Sequence, residues 1–376
     1  MATKKGKHRY FKSGILPTKL YRLLSIFLIK EKTFLAIVLI AFLLSANLFQ
    51  YRQSAMWLGF IFAAYSATAN DSIQTIGTFL ASNLHRKWYV LWGYISLIFL
   101  VTVWYSWSSF DGDVSYERLS VDGFNSTPQQ YDFLQIAAPI FLLMLTRMRM
   151  PVSTTFLLLS IFSTKSSGIF DMLEKSMWGY IIAFGAAIII WTLAHKLMQK
   201  LLRGEAHPMW SVAQWISSGA LWAVWIMQDA ANVAVYLPRQ LSGIEFAFFC
   251  GIFIIGLGVL FFMRGDKIQD IVNEKTAITD VRAATIVDFI YALILFVFKT
   301  ISKVPMSTTW VFIGLLGGRE VAIQLVSGKT DKKNGWFVAK MVGKDILLAF
   351  LGLLVSIILA TTINPDLREE IFSIFR

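Results

Sequence analysis

The chain has a single cysteine, Cys250, set inside an apolar stretch. With that count no intrachain disulfide and no cysteine-ligated metal cluster can form. Charge is scarce too, since only 15% of the 376 residues are Asp, Glu, Lys or Arg. The four histidines, His8, His85, His195 and His207, show no metal-ligand spacing, and no nucleophile elbow or phosphate loop is present. A membrane enzyme is therefore disfavoured, and no cofactor is expected. Short alternating segments are also missing, which argues against a transmembrane barrel.

What the chain has in excess is apolar: 56% of it is hydrophobic, and the mean hydropathy is +0.60. That composition lies far outside the soluble range. Apolar runs near the ~20 residues that a bilayer crossing needs lie at about Thr33 to Gln50, Trp88 to Trp107, Tyr131 to Leu145, Met177 to Leu197, Gly243 to Met263, Ala283 to Ile301 and Lys344 to Ile363. Only helices satisfy their own backbone in lipid at this length, so the fold class is an all-α polytopic membrane protein. The net charge of +12 does not point to nucleic acid. Its cations crowd before the first span, from Lys4 to Lys32, and flank later ones, as at Lys196 to Arg203 and Lys329 to Lys344. This asymmetry places the N-terminus in the cytoplasm of a cell with an inner or plasma membrane as host. No small-residue cleavage site follows the basic start, so the first segment reads as retained.

Three short strings occur twice in the same order. Asn70-Asp71 returns as Gln228-Asp229, Asp132-Phe133 as Asp288-Phe289, and Pro151-Val-Ser-Thr-Thr155 as Pro305-Met-Ser-Thr-Thr309. Five elements can be traced in each half, and an odd number per unit turns the second unit upside down relative to the first. The loop Ser108 to Gln130 is acidic and reads as external, whereas its counterpart Arg264 to Arg282 carries more lysine and reads as cytoplasmic. The trace gives an eleven-crossing chain, with Arg239, Lys299 and Lys303 fitting its charge rule least well. The expected organisation is a basic cytoplasmic segment (1–32), an additional transmembrane helix (33–50), a first repeat (51–200), a second, inverted repeat (201–363) and a C-terminal tail (364–376).

The element from Ala55 to Leu84 would be about 45 Å long at 1.5 Å per residue, too long for one straight span. A break at Asn70-Asp71 is expected, with Asp71 capping the half-helix that follows. Asn70, Asp71 and Gln74 in one half and Gln228, Asp229 and Asn232 in the other supply hard oxygen ligands for a small alkali cation or a proton. The plainer alternative is a satisfied polar kink or an interhelical hydrogen bond. Pro151 and Pro305 each open a short helical segment, which puts Ser153, Thr154, Thr155 and Ser307, Thr308, Thr309 in a first turn. There, free backbone N–H groups and hydroxyls favour an oxyanion. Hydroxyls bonding back to their own helix are the competing reading. Asp132 and Asp288 read equally as helix caps or site residues. An oxyanion beside two carboxylates would be repelled, and no Lys or Arg falls inside either cradle. A cation must enter with the anion, or the carboxylates must be protonated.

At these residues the chain resembles the inorganic phosphate transporter family, sodium- or proton-coupled permeases with sulfate permease relatives. The resemblance rests on Thr68-Ala69-Asn70-Asp71 with Pro151 to Thr155, and on Met227-Gln228-Asp229 with Pro305 to Thr309. Phe156 and Trp310 stand where that family usually has His, and the leading Gly of its acidic motif is absent from both copies. The resemblance implies two inverted repeats with broken helices at the site. It implies a coupling ion, sodium or a proton, at Asp71 and Asp229 with their amide neighbours, and an anion on the Ser-Thr-Thr hydroxyls. Inorganic phosphate is the first expected substrate and sulfate the second. A transporter-derived sensor or scaffold stays open as a different class, as does a homo-oligomer; the lipid bilayer is the other partner.

The inverted arrangement predicts a labelling pattern. With Cys250 replaced, a cysteine placed in the Ser108 to Gln130 loop reacts with an impermeant maleimide from outside, and one in the Arg264 to Arg282 loop does not. Labelling of both from the same side would refute it.

Overall fold

The computed structural model describes residues 31–147, 152–193, 204–263, 280–326 and 332–374. Within them the chain forms helices and no strand: α1 (Lys32–Leu48), α2 (Arg52–Asn70), α3 (Ser72–Ser82), α4 (Trp88–Ser109), α5 (Phe133–Arg147), α6 (Ser166–Leu193), α7 (Met209–Ala234), α8 (Gly243–Phe262), α9 (Val281–Ile301), α10 (Thr308–Val326), α11 (Lys332–Ile363) and α12 (Pro365–Ile374). Six helices among the described residues are long and apolar enough to cross a membrane, and α1 and α5 are shorter apolar helices. Among the described residues, 31–44 belong to one unit and 45–374 to a second, and the site lies in the latter.

Polarity in the larger unit is inverted relative to a soluble protein. Leu97, Ile255, Phe262 and Leu347 are exposed, whereas Thr75, Ser218, Gln228 and Asn232 are buried. An apolar surface with polar groups buried among apolar ones suits lipid as the solvent. Helix ends are fixed locally: Ser242 and Glu245 form a reciprocal capping box at the start of α8, and the Asp280 carboxylate accepts from the Arg282 N–H at the start of α9.

The two halves run in opposite directions. The chain leaving α4 meets the chain entering α8, where the Leu241 N–H donates to the Gly112 carbonyl at 2.9 Å. Corresponding helices α4 and α8 therefore end and begin at the same end of the bundle. The loop after α4 also accepts from Thr164, whose N–H donates to the Gly123 carbonyl at 2.9 Å. The start of α5 and the residues before α6 thus share that end, so of the described residues 133–147 lead into the bundle and 152–165 lead back. The returning arm, 154–162, spans about 14 Å at 1.5 Å per residue, about half of a bilayer core. The expected crossing by Pro151 to Lys165 is replaced by this half-depth return, because its five-residue π-helix (Thr155–Leu159) and terminal 3₁₀ turn end at Ser163. Pro151, and all of the Arg264 to Arg282 loop before Asp280, lie outside the described residues.

Glycines set the closest helix contact. A Cβ on Gly318 would lie 2.2 Å from the Phe184 carbonyl oxygen, and one on Gly314 would lie 2.5 Å from that of Tyr180. Gly314 and Gly318 form a small-xxx-small pair that lets α10 lie against the backbone of α6, the packing device used when lipid removes the hydrophobic drive between helices. Changing Gly318 to Leu should separate the two helices and lower the thermal unfolding temperature in detergent, at a cost of about 1–3 kcal/mol or more. Gly251→Leu, where no atom lies within 4 Å, is the control. Equal stability of the two variants would refute the close contact.

Candidate functional site

The two halves approach the acidic motif differently. α2 ends at Asn70 and α3 begins at Ser72, with Asp71 as a one-residue joint in helical conformation, φ −87° and ψ −26°. Asp71 does not cap α3 through its side chain, contrary to the expectation. In the second half no break occurs: α7 runs unbroken from Met209 to Ala234 through Gln228, Asp229 and Asn232. Ala230 and Ala231 follow Asp229 and favour helix, whereas Ser72 and Ile73 follow Asp71 and favour it less.

The Ser-Thr-Thr strings also differ from the expected first-turn geometry. Val152 and Ser153 precede the helical turn that starts at Thr154, and α10 starts at Thr308. Pro305 thus lies outside α10 and not in its first turn. In both halves the serine is the residue that caps. Ser153 Oγ accepts from the Phe156 N–H at 3.2 Å, and Ser307 Oγ accepts from the Trp310 N–H at 3.2 Å. Matching bonds at matching positions show that duplication extends from sequence to hydrogen bonding.

The motifs then interlock. Asn70 Nδ2 donates to Asp71 Oδ1 at 2.7 Å, to the Val152 carbonyl at 3.2 Å and to Thr154 Oγ1 at 3.2 Å. Asn232 Nδ2 donates to Asp229 Oδ1 at 2.9 Å and to Thr155 Oγ1 at 3.2 Å. The Thr308 hydroxyl donates to Asp229 Oδ2, and the Thr155 hydroxyl lies within donating distance of Asp229 Oδ1 at 3.3 Å and of the Met306 carbonyl at 3.1 Å, its one proton serving one of them at a time. Gln74 Nε2 donates to Thr309 Oγ1 at 3.0 Å, the mirror of the Asn232 to Thr155 bond. Gln228 faces elsewhere with its Nε2, donating to the Leu295 carbonyl at 2.9 Å. All twelve residues singled out from the two sequence motifs are buried. Four of their oxygens, Asp71 Oδ2, Gln74 Oε1, Gln228 Oε1 and Asn232 Oδ1, have no hydrogen-bond partner. Every one is an acceptor, so the group that would satisfy them is a cation or a proton donor.

At the position where the two strings meet, Phe156 and Trp310 pack with ring centroids 5.3 Å apart and an interplanar angle of 53°. Trp310 Nε1 is buried and has no partner.

Asp132 and Asp288 are not equivalent. Asp132 is exposed before α5, with its N–H donating to Gln135 Oε1 at 2.9 Å. Asp288 sits inside α9 and accepts from Thr78 Oγ1 at 2.6 Å and Ser218 Oγ at 2.5 Å. It caps nothing. Two cations near the second string also escaped the sequence reading. Arg118, buried, and Lys175, half-buried, donate to carbonyls of the segment 302–304 that leads into it. Arg118 is the lone basic residue of an otherwise acidic loop, which was the only signal available.

No protein-family model matches the chain, and no curated protein matches it. A solved structure described as the sodium-dependent phosphate transporter matches with a TM-score of 0.52 at 17% identity, covering 84% of this chain and 98% of that one. At that identity the likeness establishes a shared fold.

The bonds of Thr155 and Thr309 are unequal, and this gives a test of the interlock. Thr155→Val strips the one donor shared by Asp229 and the Met306 carbonyl and an acceptor from Asn232, and should cost about 1–3 kcal/mol by leaving buried groups unpaired. Thr309→Val removes the Gln74 contact alone and should cost roughly 1 kcal/mol. Thermal unfolding of purified protein in detergent ranks the two; a reversed order would show that the network does not bear on stability.

Proposed function

We propose that this protein is a secondary active transporter that carries a tetrahedral oxyanion, inorganic phosphate first, by symport with sodium or protons through alternating access. The observation that carries the reading is the mirrored interlock of two acidic-amide motifs with two Ser-Thr-Thr strings between oppositely directed halves. The shared fold with a phosphate transporter agrees with it. Its setting is a cell membrane, with the N-terminus cytoplasmic.

The coupling follows from what the hydroxyls are doing. Thr155 and Thr308 donate to the Asp229 carboxylate, and the Asn70 amide donates both to Asp71 and to the Thr154 hydroxyl. A hydroxyl has one proton to give, so while it serves a carboxylate it cannot serve an anion. A sodium ion on Asp71 Oδ2 and Gln74 Oε1, or on Asp229 with Gln228 Oε1 and Asn232 Oδ1, compensates the carboxylate charge that neutral donors now stabilise. A proton on the carboxylate does the same. The threonine donors are then released toward an anion, and the anion no longer meets two uncompensated carboxylates. Cation and anion therefore favour each other's binding, which is the thermodynamic content of symport.

Phosphate near neutral pH still carries a hydrogen that a carboxylate can accept, whereas sulfate only accepts. A site lined by Asp71 and Asp229 should therefore discriminate between them by orders of magnitude, as sites with unpaired buried acceptors do. Uptake of labelled phosphate into proteoliposomes should require an inward sodium or proton gradient and be competed by arsenate. Asp71→Asn with Asp229→Asn should abolish it. Excess sulfate that blocks uptake while arsenate leaves it untouched would transfer the assignment to sulfate. Full activity of the double variant would refute symport.

A further inference from the structure

Arg118 is fully buried, and among the described residues no carboxylate lies within ion-pair distance of it. Its Nε donates to the Met227 carbonyl at 2.7 Å, and its Nη1 donates to the Lys303 and Val304 carbonyls, each at 3.2 Å. Met227 directly precedes the Gln228-Asp229 motif, and Val304 lies three residues before Ser307. The guanidinium therefore joins both parts of the second half-site. Lys175 shares one of its acceptors, donating from Nζ to the Val304 carbonyl at 2.5 Å and to the Ser302 carbonyl at 2.8 Å. The next residue on α6, Ser176, accepts from the Ser307 N–H at 2.8 Å.

Donor counting separates Arg118 from a purely structural arginine. Arg239 spends all five N–H groups on carbonyls, giving one from Nε to Phe124, two from Nη1 to Val235 and Leu237, and two from Nη2 to Phe124 and Ser126. Arg118 makes three such bonds, and its Nη2 donates to no protein group. Lys175 uses two of its three N–H groups. Two like charges thus share one carbonyl and keep spare donors, and the acids near Lys175 on its own helix, Asp171 and Glu174, form no ion pair with it. Neutral carbonyls offset such a pair of charges poorly, and an anion offsets it well.

The backbone that delivers Arg118 is held against its preference. Tyr116 and Glu117 have φ of +55° and +59°, a conformation that side-chain-bearing residues rarely adopt. Asp113 enforces the turn by accepting from the Ser115 N–H and hydroxyl and from the Glu117 N–H. Glu117 itself is anchored to Lys303 at 2.6 Å.

We propose that Arg118 and Lys175 form a cationic subsite at the mouth of the second Ser-Thr-Thr string, where a tetrahedral oxyanion is held on its way to Ser307–Thr309. The subsite rests on the transporter reading for its role, but not for its ligand chemistry. It supplies the positive charge that the cradle's own residues lack. Burial holds the Arg118 guanidinium down to about 10, with Asp229 acting against that, so it stays charged near neutral pH.

Two measurements on the full-length protein test this. In proteoliposomes, Arg118→Gln and Lys175→Gln should each raise the phosphate KM roughly ten- to hundredfold, the range for a lost charge-assisted hydrogen bond, with the maximal rate largely kept. Arg118→Lys, which keeps the charge, should raise it less. An unchanged KM with a lowered maximal rate would show that these residues only position the segment, and would overturn the subsite. If Arg118→Gln does not fold, Lys175→Gln alone carries the same comparison. Equilibrium binding of inorganic phosphate and of sulfate to the solubilised protein separates this inference from the transport reading. Binding that the wild type shows and the variants lose keeps the subsite even where uptake is absent. Binding equal in all forms, or absent from the wild type, overturns it.

Discussion

A carboxylate inside a bilayer-spanning bundle must be given donors or a counter-charge, and in this protein the donors are hydroxyls and amides. Asp229 takes Thr155, Thr308 and the Asn232 amide, Asp71 takes the Asn70 amide, and Asp288 takes Thr78 and Ser218. The rest of the interior is arranged to keep these pairs. Thr155 reaches Asp229 and Gln74 reaches Thr309, so the bonds that satisfy the polar groups also tie one half of the molecule to the other. A movement of one half against the other would have to break them.

The halves match in chemistry and differ in shape. The first half has a jointed helix at Asp71 and a π-helical turn opening at Thr155, whereas the second has an unbroken α7 and a regular α10. π-helical turns are frequent at functional sites. The first half carries that irregular backbone, and the regular α10 of the second lies against the α6 backbone at Gly314 and Gly318.

Much of this was legible in sequence because duplication marks residues twice. The polar strings stood out against apolar surroundings, and all twelve motif residues are buried in the structure. What failed was local register. Asp132 and Asp288 share a dipeptide, yet one precedes its helix while the other lies inside it, because α9 starts eight residues earlier relative to its Asp than α5 does. Pro305 looked like a first-turn proline, but Ser307 caps α10 and leaves it outside. The Gly314-xxx-Gly318 pair was visible and unread, since its meaning depends on a facing backbone. Arg118 had no periodic pattern to announce its burial, because a loop residue's depth is set by tertiary contacts alone.

Three cations fitted the charge asymmetry poorly, and their surroundings account for them. Lys303 is paired with Glu117, Lys299 lies over the Tyr116 ring with Nζ 5.3 Å from its centroid, and Arg239 is spent on backbone carbonyls. The asymmetry rule describes positive charges free to stay on one side of a membrane, so charges consumed by folded contacts fall outside it. All three contacts involve the loop after α4 or the chain it touches, at the end of the bundle where Arg118 turns inward. That loop carries its acids and receives the other half's bases, which fixes it over the second Ser-Thr-Thr string. The same pairing that looked like an exception to a topology rule is what positions a buried guanidinium beside the site.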